Sequence, residues 1–383
     1  MFYSSYIEIS KSALQHNINF IKEQLAPGVR LSSVVKGNAY GHGIEEFAGI
    51  AFSCGLDHFS VFSADEAYRL QQVLPATATI LIMGYIDDSQ LEWAIAHDIE
   101  FYIFSIARLE SAALAASKLQ KPARIHLDIE TGMNRIGLGG DELDRAADII
   151  LANQGLLDVV GICTHYAGAE SQENHDRVAC QISLFHAAVN QLKAKGIVAR
   201  QLHSACSAAV MAYPETHMDM VRVGIMQYGF WSSPEIYHRF MGLSTDRTDP
   251  LKRVINWKSH IMSLKQVQAG EFIGYGNSYQ ATYDMVIATV PVGYAWGYSR
   301  TLSNQGEVLI RENRAPVVGI VNMNVLMVDV TGIPDVALKD EVVLLGKQGK
   351  ENITVASFAE LSTQLNYELL TRLPMNIPRY IID

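Results

Sequence analysis

The sequence predicts an α/β fold: a (β/α)8 TIM-like barrel followed by a mainly antiparallel β domain. Three observations predict it. Short apolar runs alternate eight times with stretches of helical spacing over about the first 230 residues. Beyond about residue 240 the texture changes to Val-, Ile-, Thr- and Tyr-rich runs broken by glycine. The 383 residues are 49% hydrophobic and 18% charged, enough for a large core and for two domains. The barrel is expected over 1–240 and the β domain over 241–383, with the first few residues free to pair with the second domain.

The elements follow in order. A helix from about Lys11 to Leu25 precedes the first barrel strand, 31–36 (LSSVVK). Further strands are expected near 58–62, 79–83, 100–104, 123–129, 157–164, 199–203 and 219–223. Helical spacing fills the gaps, as in ADEAYRLQQVL, IARLESAALAASKLQ and NHDRVACQISLFHAAVNQLKAKG. Strands this short and apolar belong to a parallel sheet covered on both faces. Eight such units favour a closed barrel over an open doubly wound sheet. The segment STDRTDP (244–250) reads as a linker. After it, VINWKSHIMSLKQV, MVIATVPVGY, GEVLIRENRAPVVGIV, VLMVDVTG and EVVLLG read as strands. TVASFAELSTQL reads as one helix, with Thr354 as its N-cap.

The net charge of −10 argues against a general nucleic-acid or anionic-membrane binder. No run is long enough to span a bilayer, and MFYSSYIEIS lacks the marks of a signal peptide. The four cysteines, Cys54, Cys163, Cys180 and Cys206, are widely spaced, which fits reduced thiols in the cytoplasm better than disulfides or a metal site.

A barrel active site lies at the C-terminal ends of its strands. There the sequence places Lys36, Asp128 with Arg135 beyond it, Thr164 and His165, Ser204 and Ser207, and Arg222. Loops after the last two strands often bind phosphate, and Ser207 with the start of a short helix at Gly224 and Ile225 would suit one. A lysine and a phosphate facing one mouth point to pyridoxal 5′-phosphate, which a lysine holds as a Schiff base. Burial and Arg135 would favour the neutral amine that this needs. Singly, each residue also has a plainer use: Lys36 or Arg222 in an ion pair, His165 as a satisfied core histidine, Ser207 as an N-cap.

Beyond these residues, the chain resembles the alanine racemases over nearly its whole length. VVKGNAYGHG (34–43) is similar to the family's pyridoxal-attachment signature, with Gly37 where alanine is usual. TGMNRIG, THYAGAES, HSACSAAV, VRVGIMQYG, GYGNSY, VPVGYAWGY and NYELLTRLPMNIPR follow in the family's order. The resemblance implies racemisation of alanine by two bases, Lys36 and Tyr275, with Tyr275 supplied by the partner of a homodimer whose sites are shared. It implies phosphate contacts from Tyr40, Ser207, Gly224, Ile225 and Tyr367. Arg222 would face the pyridine nitrogen, and His165 would lie towards Tyr275. Arg135 and Met323 would meet the substrate carboxylate, Tyr294 would line the entrance, and Tyr367 would limit side-chain room. No metal is implied.

The chain departs from the family at Asp128, which stands where a carbamylated lysine is usual, and the expectation is that Asp128 orients Arg135 directly. Ile320 and Asn324 replace an arginine and an aspartate beside Met323, and Asn376 replaces an arginine. These departures keep open a racemase of another small amino acid, such as serine, or an inactive pyridoxal-binding homologue. A decarboxylase would need a cysteine in the β domain, and none lies beyond Cys206. A barrel-only carrier protein would lack that domain altogether.

Overall fold

The computed structural model describes residues 3–244, 248–354 and 366–383. The expected helix after Thr354, part of the 244–250 linker and the Tyr367 side chain lie outside the described residues. Internal contacts divide the chain into two compact units. One holds Ala13–Gly37 and Phe47–Lys252; the other holds the residues up to Ser12, Asn38–Glu46 and Arg253–Asp383.

The first unit is an eight-stranded parallel sheet. Its strands are β2 (Arg30–Val34), β3 (His58–Ser63), β4 (Thr79–Tyr85), β5 (Glu100–Ile103), β6 (Ala123–Asp128), β7 (Leu157–Cys163), β8 (Gln201–His203) and β9 (Met220–Val223); β1 (Ser5–Ser10) belongs to the second unit. Each pairs with its sequence neighbour from β2 to β8, and β2 also pairs with β9. Two backbone bonds bring β8 and β9 together: Asp219 N–H to the Leu202 carbonyl at 3.1 Å, and Arg222 N–H to the Ala205 carbonyl at 2.9 Å. The barrel expectation is met, and for the expected reason. Strand residues such as Phe59, Ile82, Phe101 and Ile125 are fully buried, each worth roughly 1.5–3 kcal/mol on transfer from water.

The helices cover the strands with one apolar face each. Ile106–Leu119 buries Ile106, Leu109, Ala112, Ala113 and Ala116, a helical stripe, and Ser105 caps its first turn. Asp88–Ala96 begins with a reciprocal capping box between Asp87 and Gln90.

The second unit is built on two sheets. Strand β1 (Ser5–Ser10) lies between β10 (Ile255–His260), antiparallel to it, and β18 (Arg379–Ile382), parallel to it. The sheet continues through β16 (Glu341–Gln348) to the hairpin β13 (Glu307–Ile310) and β14 (Asn313–Pro316), with β17 (Glu351–Ile353) beside β16. The smaller sheet is β11 (Ser263–Val267), β12 (Met285–Val290) and β15 (Leu326–Asp329), all antiparallel. Ile7, Ile9, Trp257, Val308 and Val343 are buried in this unit, and Ile273, Met285, Ile287, Val318 and Met327 form a second cluster. Among the described residues no helix is long and apolar enough to cross a membrane.

Candidate active site

The β2 ladder ends at Val34, not at Lys36 as the apolar run predicted. Lys36–Tyr40 instead form one helical turn, and it is left-handed: φ is 63° at Gly37, 55° at Asn38, 53° at Ala39 and 51° at Tyr40, with 81° at Gly41. Such backbone costs an L-residue roughly 1–2 kcal/mol, so three successive non-glycine residues must be held there by their surroundings. His42 does part of this. Its Nδ1 lies 3.0 Å from the Ala39 carbonyl and 3.1 Å from the Tyr40 carbonyl, so Nδ1 carries the hydrogen and donates. Burial lowers its pKa to about 3, so the ring is neutral at working pH. Arg379 donates to the Gly41 carbonyl at 2.8 Å. Gly41 is required twice over, by its positive φ and because a Cβ there would sit 1.8 Å from the Leu370 carbonyl oxygen.

Lys36 therefore stands just past the C-terminal end of β2. It is solvent-accessible, yet protein surrounds it on its other sides, and it makes no ion pair among the described residues. Burial lowers its pKa, helped by Arg135 and Arg222 and opposed by Glu66. This is the bias towards a neutral amine that nucleophilic lysine chemistry requires.

Arg222 on β9 is buried. It donates to the carbonyls of Thr164 (2.8 Å), His203 (2.9 Å) and Ser204 (3.3 Å) and to Nδ1 of His203. Among the described residues no carboxylate pairs with it, so the core ion pair is not its role. His165, after β7, has its pKa lowered to about 3 by burial and by Arg222, Arg135 and Lys36. It is a neutral ring facing the positive charge of Arg222 and Arg135. Ser207 opens the helix Ser207–Ala212 and is not its cap, a position held by Cys206. Gly224 N–H donates to Ser207 Oγ at 3.0 Å, which leaves the hydroxyl hydrogen for another acceptor. Ile225 begins the short 3-10 turn Ile225–Tyr228. So Lys36, Arg135, His165, Ser207, Arg222 and Gly224 gather at one end of the barrel. A lysine amine, a hydroxyl at a helical turn and a buried guanidinium are the donor types that an aldehyde-bearing aromatic phosphate requires.

Asp128 corrects one expectation. No hydrogen bond joins it to Arg135; the two interact only through charge. Asp128 is 6% exposed, and burial pushes its pKa up to about 7 against Arg222 and Arg135. An unfolded chain ionises this group near pH 4. From there to about pH 7 the folded state keeps a proton that the unfolded state has lost, so stability falls as pH rises. We expect Asp128→Asn to gain stability over its parent between about pH 5 and about pH 8, by a few kcal/mol. Urea unfolding at both values measures it, and an equal difference at the two would contradict it.

Three site residues went unnoticed in the sequence: Glu100, His126 and His203, all buried inside the barrel. Because arginine only donates, His203 must accept at Nδ1 and carry its hydrogen on Nε2, which donates to His126 Nδ1 at 2.8 Å. His126 Nε2 then donates to Glu100 Oε2 at 2.8 Å, and Arg124 meets Oε1 at 2.5 Å. Arg222 thus heads a chain of fixed polarity through the core. Gly161 makes room for it, since a Cβ there would lie 2.2 Å from His126 Nδ1. The signal was present in part: Glu100 opens the otherwise apolar EFYI, and His126 stands between Ile125 and Leu127.

In the second unit, Tyr275 sits in a loop whose neck is closed by a bridge between Phe272 and Gln280 and by Ile273 N–H donating to the Tyr279 carbonyl. It is 72% exposed, which excludes a packed sheet tyrosine. Tyr294 N–H donates to the Asn322 carbonyl and Ala295 N–H to that of Met323, both at 3.0 Å, so Tyr294 and Met323 share one exposed patch. Asn324 and Asn376 are exposed.

Residues 9–231 match the alanine racemase N-terminal domain and 254–381 the alanine racemase C-terminal domain. The chain is 36% identical over 382 residues to an alanine racemase of Leptospira interrogans, covering 100% of this chain and 96% of that one. It superposes with a TM-score of 0.90 on the alanine racemase from Streptomyces coelicolor A3(2), at 29% identity over 99% of this chain and 98% of that one. The alanine racemase from Bacillus anthracis with bound L-Ala-P gives a TM-score of 0.90 at 30% identity, over 100% and 96%.

Proposed function

The chain belongs to the alanine racemase family, and we propose that it interconverts L- and D-alanine on pyridoxal 5′-phosphate, with Lys36 and Tyr275 as its two bases. The observation that carries this reading is Lys36: a lysine past a barrel strand with no ion pair among the described residues, biased towards its neutral form by burial and two arginines.

The cofactor, when bound, draws electrons away from the substrate's α-carbon and so makes its proton removable. The rest falls to the chain. Lys36 binds the cofactor and holds or returns a proton on one face at Nζ. Tyr275 does the same on the other through its phenolic oxygen. A lysine amine titrates near pH 10 when unperturbed, so Lys36 needs tuning towards working pH. For Lys36, burial and Arg135 supply it. For Tyr275, the neutral imidazole of His165 is the proposed neighbour. Ser207, Gly224 and Ile225, with Tyr40 and Tyr367, are assigned to the phosphate. Arg135 and Met323 are assigned to the substrate carboxylate, with Tyr294 and Tyr367 bounding substrate access.

Arg222 stays cationic at any ordinary pH, and burial among carbonyls has not changed that. It can donate to a ring nitrogen but not surrender its proton to it. That limits electron withdrawal, and with it competing reactions, at some expense in rate. The four cysteines are free, which supports a reducing, cytoplasmic setting. The exposed Tyr275 supports a homodimer in which each site borrows it from the partner.

The test is incubation with the cofactor and L-alanine in deuterated water, following α-deuterium and chirality together. Deuterated D-alanine is expected. Exchange with retained L-configuration would mean one working base. No exchange with alanine, but exchange with serine, would replace the substrate.

A further inference from the structure

We infer that Glu66 is a positioning residue for Lys36, gripping the backbone just after the lysine from a neighbouring helix. The inference rests on the reading of Lys36 as the reactive lysine.

Glu66 is the third residue of the helix Ala64–Val73, the place from which a glutamate ordinarily reaches back to its own N-cap N–H. Here the carboxylate divides its oxygens. Oε2 accepts from Phe62 N–H at 2.9 Å, beside the helix start, while Oε1 accepts from Gly37 N–H at 2.6 Å, in a different segment. The N-cap Ser63 makes no side-chain cap bond. Glu66 is 9% exposed while Gly37 is exposed, so the bond between them is part-buried.

The grip falls at a point that needs one. Before Lys36 the backbone is pinned by Val35 N–H to the Ser60 carbonyl (2.9 Å) and by Gln227 (3.0 Å) and Tyr228 (2.9 Å) on the Val34 carbonyl. Past Lys36, already beyond the ladder, the chain turns left-handed at Gly37. The Glu66 bond fixes the peptide at which that turn begins, and with it the direction in which the lysine side chain leaves. A charge-assisted bond of this kind is roughly twice as strong as a neutral one.

Glu66 also places a negative charge near an amine that must become neutral. Arg135 and Arg222 push the other way, and Cys206 also faces the group. Position and charge are therefore separable by substitution. Glu66→Gln keeps the size, removes the charge and gives up one of the two acceptors. Glu66→Asp keeps the charge but is one methylene too short for both bonds.

Both variants are assayed as holoenzymes for racemisation. The full chain, freed of cofactor, is labelled with formaldehyde and a borohydride reagent across pH, with Lys36 read by peptide mass spectrometry. We expect kcat to fall about tenfold to a hundredfold in both, with KM for alanine within about twofold, as for a misplaced catalytic group. The labelling midpoint of Lys36 should move down in Glu66→Gln and stay near the parent's in Glu66→Asp. Parental kcat and an unmoved midpoint in Glu66→Gln would reduce Glu66 to a helix-end residue and overturn the inference. If Glu66→Gln does not unfold cooperatively, kcat of Glu66→Asp decides alone. Activity surviving in Lys36→Ala would instead sink the reading of the lysine, whatever Glu66 does.

Discussion

Lys36→Ala is expected to abolish racemisation and covalent retention of the cofactor together, while the barrel stays folded. The residue is solvent-accessible and makes no ion pair among the described residues, so its removal leaves no buried partner unsatisfied. Stability should change by less than about 1 kcal/mol. Activity loses two functions at once, the covalent anchor and one proton-transfer group, and a single general base is worth about 10²–10⁴ in rate. The combined loss should be at least about 10³. Lys36→Arg is a stringent partner variant, because guanidinium cannot become neutral under ordinary conditions and should be as inactive. Initial rates with gel-filtered protein, read beside the cofactor's visible absorbance, measure both. More than about a hundredth of parental activity in either variant would remove Lys36 from the reaction.

Tyr275→Phe should separate the two faces of the reaction. The residue lies in an exposed loop closed by backbone bonds, so loss of one hydroxyl should leave stability within about 0.5 kcal/mol. Racemisation should fall by about 10²–10⁴. The expected signature is asymmetric: α-proton exchange with solvent persists from one enantiomer, through Lys36, and is lost from the other. An equal fall for both would mean that Tyr275 shapes the site without moving a proton. Mixing the two inactive variants under conditions of subunit exchange tests the shared dimer. If each site draws Lys36 from one chain and Tyr275 from the other, a mixed dimer holds one site with both lesions and one with none, and activity returns. If each chain supplies both groups, every site keeps a lesion and mixing restores nothing.

The strands of the barrel were legible because burial on both faces writes a continuous apolar run, and each such run became a strand. Lys36, Arg135, His165, Ser207 and Arg222 were legible from their places after those runs. The Glu100–His126–His203 chain was harder to see. Its members come one from each of three strands, and only barrel closure, with Gly161 leaving space, makes them neighbours. Asp128 was readable as an acid near Arg135, but local spacing cannot tell a hydrogen bond from action through charge.

By itself the sequence determined the parallel barrel, the β-rich second part and the order of the chemical groups, since periodicity and motif order are properties of the chain read along its length. Tertiary structure alone decided that the ladder stops at Val34, that five residues after Lys36 run at positive φ, and that Glu66 reaches across to hold the first of them. The reason is energetic. A left-handed turn through Asn38, Ala39 and Tyr40 is disfavoured locally, so nothing in those residues alone selects it. It exists because Glu66, His42 and Arg379, distant from it or from one another in the chain, supply the bonds that offset the cost.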